Sequence, residues 1–66
     1  MLVNLKRGSE TLCISREIRK YQEKTTITVE RKDDKGRVVA RNYFTGTIED
    51  AFNLRAEAWK NGWFNA

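Results

Sequence analysis

The chain has 66 residues and a formal net charge of +4, which suits one small domain with a single hydrophobic core. Apolar residues make up 39% of it and charged residues 33%, yet seven aromatic residues supply enough bulk to argue against disorder. A deep catalytic pocket would consume most of so small an interior, and histidine is absent. We therefore expect a binding protein and not an enzyme.

The residue inventory also argues against a metal or another cofactor. Cys13 is the single cysteine, so it cannot form an internal disulfide or a cysteine-based zinc site, and we expect it to be buried. Residues 1–7 reach a charge at Lys6 without a long apolar stretch, unlike a secretory signal. No segment approaches the ~20 apolar residues of a membrane span. These features predict a cytoplasmic protein that has no membrane partner.

The first third of the chain predicts a short strand over residues 1–5 and a second strand over about 10–21. In the second segment the apolar residues alternate with polar ones, as in a half-buried strand. They are Leu12, Ile14 and Ile18. A helix over residues 14–24 stays open as an alternative, because this stretch has high helix propensity and apolar residues at helical spacing.

The middle of the chain has the pattern of a hairpin. Residues 25–32 and 37–44 are rich in β-branched and aromatic residues, which favours two strands. Between them, the sequence Asp-Asp-Lys-Gly at 33–36 is typical of a tight turn that ends on a left-handed glycine. The two aspartates are interpreted as turn formers and not as calcium ligands, which would need more oxygen donors at wider spacing.

The last third predicts a helix over about residues 48–60. Thr47 and Asp50 have the spacing of a capping box, and Gly62 supplies a stop just beyond the helix. An apolar stripe at helical spacing is expected to face the sheet. Its members are Ile48, Phe52 and Trp59, with Ala51, Ala56 and Ala58 between them.

Together these elements predict an α+β fold in which residues 1–66 form one domain. We expect a three- or four-stranded antiparallel meander, with one C-terminal helix packed on one face. The sheet face under the helix needs apolar residues at alternate positions of each strand. The candidates are Leu12, Ile14, Ile18, Ile27, Val29, Val38, Ala40 and Phe44.

The basic charge is concentrated on the predicted strands. Residues 6–41 contain eleven basic and six acidic residues, whereas residues 42–66 contain two basic and three acidic ones. Strand alternation places several of these cations, with tyrosines between them, on the sheet face away from the helix. Such a surface is suited to contacts with phosphates and base edges. The predicted nucleic-acid-binding residues, the turn lysine included, are Arg19, Lys32, Lys35, Arg37, Arg41 and Tyr43. The competing interpretation is an ordinary solvated face on which Glu17 and Glu30 pair across strands with Arg19 or Lys32.

The segment Tyr-Phe-Thr-Gly-Thr-Ile-Glu-Asp-Ala-Phe at 43–52, after a basic hairpin, resembles the strand-to-helix junction of two families of DNA-binding domain. These are the plant Apetala-type domain and the arm-binding domain of tyrosine recombinases, in which three strands precede one helix and the sheet reads the major groove. The junction positions would fall on Phe44, Thr47, Glu49 and Ala51. The resemblance implies that Arg37, Arg41 and Tyr43 lie on the face that contacts DNA.

The sequence therefore favours a non-enzymatic nucleic-acid-binding module, with DNA as the expected partner. The alternative is a small protein-interaction module or inhibitor of the kind that a phage or mobile element encodes, acting through an edge strand or a C-terminal aromatic patch. The residues of that patch are Trp59, Trp63 and Phe64. Formation of a homodimer through the same patch is a related alternative.

Overall fold

The computed structural model describes residues 2–66, which form a five-stranded antiparallel sheet and one helix. The elements are β1 (Leu2–Arg7), β2 (Glu10–Arg16), β3 (Thr25–Lys32), β4 (Val38–Gly46), α1 (Ile48–Lys60) and β5 (Phe64–Asn65). The strand order is β4-β3-β2-β1-β5, so the first four strands form a meander and the fifth adds to the far side of β1. The predicted α+β fold is confirmed. Of the strand predicted over residues 1–5, Met1 lies outside the described residues.

The second strand is shorter than the sequence predicts. It ends at Arg16, and residues 17–24 form neither a strand nor a helix but the loop to β3. The Thr25 hydroxyl donates a hydrogen bond of 2.6 Å to the Glu17 carbonyl, which fixes the base of the loop. At its apex Tyr21 has a φ of 67°, a conformation unusual for a residue with a large side chain. Ile18, expected in the core, is 79% exposed because the strand has already ended.

The hairpin of β3 and β4 is closed by the aspartate of its turn. The Asp33 carboxylate accepts hydrogen bonds of 2.9 Å from the backbone N–H groups of Lys35 and Arg37. Gly36 has a φ of 78°, as the predicted left-handed glycine requires. A bulge beside Arg31 and Lys32 adds one residue to β4, so the alternation of β4 is regular only from Ala40 onward.

The helix has the predicted bounds, 48–60, and both of its ends are capped. Thr47 Oγ1 accepts a hydrogen bond of 3.3 Å from Asp50 N–H, and the Asp50 carboxylate accepts one of 2.9 Å from Thr47 N–H. These two bonds form the expected capping box. At the other end the Trp63 N–H donates to the Ala58 carbonyl over 3.0 Å, which turns the chain back toward β1.

The core lies between the helix and the central strands. Three strand residues, two helix alanines and one tryptophan are buried: Leu5, Ile14, Ile27, Ala51, Ala58 and Trp63. The prediction that Ile48, Phe52 and Trp59 pack on the sheet is wrong, since these side chains are 40–43% exposed. The two alanines allow the helix to lie close to the sheet, and Trp63 supplies the bulk beside them. Half-buried Leu54 also packs against this core, whereas the exposed Ile48, Phe52 and Trp59 lie along a flank of the helix.

The helix covers only part of its sheet face. It packs mainly on β2 and on the end of β4, where Gly46 is buried and a Cβ atom would lie 2.7 Å from the Asp50 carboxylate. The first eight residues of β4 are exposed, so Val38, Ala40 and Phe44 do not form the core that the sequence predicts. The far half of the β3–β4 hairpin therefore extends beyond the helix.

Candidate nucleic-acid interface

The strand register shows which side chains lie on the outer sheet face, the face that is turned away from the helix. Ile27 and Ile14 are buried under the helix, so the alternate residues of β3 and β4 point the other way. Thr28 lies opposite Tyr43, Glu30 opposite Arg41, and Lys32 opposite Val38. Three of the predicted binding residues thus share the outer face, and they are Lys32, Arg41 and Tyr43.

Arg41 is paired across the two strands. Its guanidinium lies 3.3 Å from the Glu30 carboxylate, and the two side chains are 45% and 25% exposed. The hydrogen bond to Glu30 is the main cause of a raised pKa for Arg41, and the Coulomb attraction of the same carboxylate is the next. Arg41 is therefore fully charged, but a carboxylate directly beside it offsets its attraction for anions.

Arg37 lies in the hairpin turn and not on the sheet face. Its guanidinium is 3.1 Å from the Asp33 carboxylate. The pKa of Asp33 is lowered from 3.8, first by the Arg37 backbone N–H, then by the Lys35 N–H, with the Arg37 guanidinium also contributing. The carboxylate stays charged down to the acid range and holds the turn. Lys35, at the exposed tip of the same turn, makes no ion pair with any residue of the described chain.

Arg19 is separated from the other predicted residues. It lies in the 17–24 loop, where its guanidinium is 3.2 Å from the Glu17 carboxylate, the pairing that the competing interpretation anticipated for Glu17. This loop precedes β3, whereas the turn with Lys35 follows β3, so the two sites lie at opposite ends of that strand. An eight-residue strand spans about 26 Å at ~3.3 Å per residue. The structure consequently does not bring Arg19 and Lys35 together.

Two further cations, which were not among the predicted binding residues, also lie on the faces of the sheet. Lys6 lies opposite Thr11 and next to the buried Leu5, which places it on the outer face. Arg31 lies opposite Ala40 and Leu12, so it is on the helix-side face, in the part that the helix leaves uncovered. Alternation along β1 and β3 was the available signal for both. Cys13, expected to be buried, is half-buried and lies opposite Asn4 and Glu30 on the outer face.

The three C-terminal aromatic residues do not form one surface. Trp63 is only 5% exposed, and the Arg7 guanidinium lies 4.4 Å from the centre of its ring. Trp59 is on the helix flank, with the Arg55 guanidinium 4.8 Å from its ring. Phe64 lies opposite Lys6 on the outer sheet face and is 64% exposed. An anchor made from Trp59, Trp63 and Phe64 would therefore require residues from both faces and from the core.

Comparison of the chain with protein-family models, with curated proteins and with solved structures finds no match. In residues 2–66, no helix has the length and apolar content that crossing a membrane requires.

Proposed function

We propose that the protein is a nucleic-acid-binding module that contacts duplex DNA with the projecting half of its β3–β4 hairpin. The observation that supports this proposal is the placement of cations on every side of that projection. Lys32 and Arg41 lie on the outer face, Arg31 lies on the helix-side face, and Lys35 lies at the tip. A surface of this kind can approach phosphates on both walls of a groove.

The dimensions of the hairpin suit the major groove. Two paired strands are about 4.8 Å apart, and the major groove of B-DNA is about 12 Å wide, so a two-stranded ribbon with its side chains fits inside it. Tyr43 is 63% exposed and is flanked on the outer face by Thr28 and Arg41. Hydroxyl and guanidinium groups beside an aromatic ring supply both phosphate contacts and contacts to base edges.

The lysines are the main source of affinity in this proposal. Arg41 and Arg37 already have carboxylate partners, so a phosphate must compete with Glu30 or Asp33 for them. Such exposed ion pairs contribute little stability, and the arginines can exchange partners on binding. Lys32 and Lys35 have no ion-pair partner among the described residues, and their charges are available without such an exchange.

Binding to a short labelled duplex, measured by fluorescence anisotropy across a salt series, tests the proposal. We expect Lys32→Gln with Lys35→Gln to weaken binding at low salt and to reduce the salt slope, log K against log [salt], by about 2, one unit for each phosphate contact.

The matched control is Lys24→Gln with Lys60→Gln, which removes the same charge from the other loop and from the helix end. An equal loss in this control would contradict the hairpin assignment, because only the net charge would then matter. Duplex RNA should compete poorly, since its deep and narrow major groove excludes the ribbon. Absence of any DNA binding by the unmodified protein at low salt would refute the function itself.

A protein-interaction module is the second candidate, and one observation favours it. Phe52 and Trp59 lie along the helix flank with 43% and 40% of their surfaces exposed, and Arg55 stacks on both rings at 5.0 and 4.8 Å. Exposed aromatic residues beside an arginine are the composition of many interaction hot spots. Failure to bind nucleic acid would make this flank the preferred site.

A further inference from the structure

The strand β4 is an edge of the sheet that lacks the usual protection. It is nine residues long and pairs with β3 on one side only. Natural edge strands are kept from pairing by shortness, proline, inward charge or lysine. β4 contains no proline or lysine, and Arg41, its only charged residue, is paired with Glu30 of the neighbouring strand. The bulge lies at its first residues and leaves the rest regular.

The opposite edge of the sheet, unlike the β4 edge, is protected. There the outermost strand, β5, has two residues, which pair with Leu5 and Lys6 of β1. One further hydrogen bond of 3.1 Å, from Ala66 N–H to the Asn4 carbonyl, continues this cover. A two-residue strand offers too little backbone for another chain to extend. Within residues 2–66, only the β4 edge can therefore accept a full additional strand.

We propose that β4 pairs antiparallel with β4 of a second copy of this chain, about a two-fold axis at Asn42. This arrangement joins the two sheets into one continuous sheet, and it is an isologous contact that closes at the dimer. It does not depend on the proposed nucleic-acid function, because it rests on the strand edge alone.

The side chains of β4 are self-complementary in this register. Pairing about Asn42 places Ala40 opposite Phe44 of the other copy, and Arg41 opposite Tyr43, so an apolar pair and a cation–aromatic pair form on each side of the axis. A register centred on Arg41 would instead set two arginines directly against each other, which is destabilising. The exposed fractions of Tyr43 and Phe44, 63% and 39%, provide the apolar surface that the contact would cover.

A charge-reversal experiment tests the contact at its axis. We expect the unmodified chain to have twice its monomer mass of 7.7 kDa in light scattering coupled to gel filtration. Asn42→Lys and Asn42→Glu should each give monomers, since like charges then face each other at the axis. An equimolar mixture of the two variants should restore the dimer.

The control is Asn65→Lys, which adds the same charge to the exposed opposite edge and should leave the dimer intact. Far-UV circular dichroism verifies that each variant is folded. A monomeric unmodified chain, a dimer that survives Asn42→Lys, or a mixture that stays monomeric would each overturn the proposal. If the natural occupant of this edge were a strand of another protein, the unmodified chain alone would be monomeric, which is the first of these outcomes.

Discussion

At the scale of single residues, Trp63 is a core residue that connects two elements of the fold. It is 5% exposed beside the buried Ala58, and its ring is covered by the Arg7 guanidinium at 4.4 Å. Arg7 also donates a hydrogen bond of 3.2 Å to the Asn61 carbonyl. The tryptophan thus joins β1 to the end of the helix, and the aromatic residue that could serve as an exposed anchor is instead part of the core.

Replacement of Trp63 by alanine should cost about 3–5 kcal/mol of the free energy of unfolding, as buried aromatic truncations do. In a small domain that is a large share of the total, so urea denaturation should give a midpoint near zero or a chain that is already unfolded. Phe64→Ala is the matched control. Phe64 is next to Trp63 in the chain but is 64% exposed, so its truncation should lower the free energy of unfolding by less than about 1 kcal/mol. Equal losses at the two positions would contradict the placement of Trp63.

Residue-level prediction from the sequence succeeded where alternation alone decides, and it failed where neighbours in space decide. The alternation of β3 and β4 placed Lys32, Arg41 and Tyr43 on one face correctly. The partner of Arg41 depends on which residue lies opposite it, and that register puts Glu30 there. From the sequence the expected partners of Glu30 are Arg19 and Lys32, because only the register shows that Arg41 lies opposite it.

At the scale of elements, the ends of the helix could be predicted because they are set by local chemistry. Thr47 and Asp50 exchange two hydrogen bonds within one turn, and Gly62 adopts a φ of 87° just after the last turn. Neither feature needs a contact from elsewhere in the chain. The face of the helix that is buried could not be read in the same way, because it depends on how Ala51 and Ala58 fit against the sheet.

The capping box gives a prediction for this element. Thr47→Ala removes the acceptor for the Asp50 N–H and should lower the free energy of unfolding by about 1 kcal/mol. For a domain of this size the melting temperature should fall by roughly 4–8 °C. Thr47→Ser keeps the hydroxyl and should restore most of the stability. Equal melting temperatures for Thr47→Ala and Thr47→Ser would show that the capping hydroxyl contributes nothing to stability.

At the scale of the whole molecule, the shape explains which surfaces are left for binding. The chain measures 38 × 23 × 15 Å, and the single layer of helix covers less than one sheet face. The sequence of β4 has no feature that indicates that the helix leaves most of this strand uncovered. Its apolar residues were assigned to the core because alternation shows which face a residue shares, but not whether anything covers that face.

The two proposals together predict that DNA and a second copy compete for the β3–β4 hairpin. Pairing along β4 would set the hairpin inside one continuous sheet, and at about 4.8 Å per strand such a sheet is too wide for a major groove of about 12 Å. A short duplex should therefore bind the single copy and dissociate the β4 contact, because a ligand shifts an equilibrium toward the form that it binds. Light scattering coupled to gel filtration, with an excess of a duplex that spans one hairpin, should give the mass of one copy per duplex. A complex that keeps two copies on that duplex would mean that DNA is not bound by the two-stranded ribbon, even if the β4 contact forms.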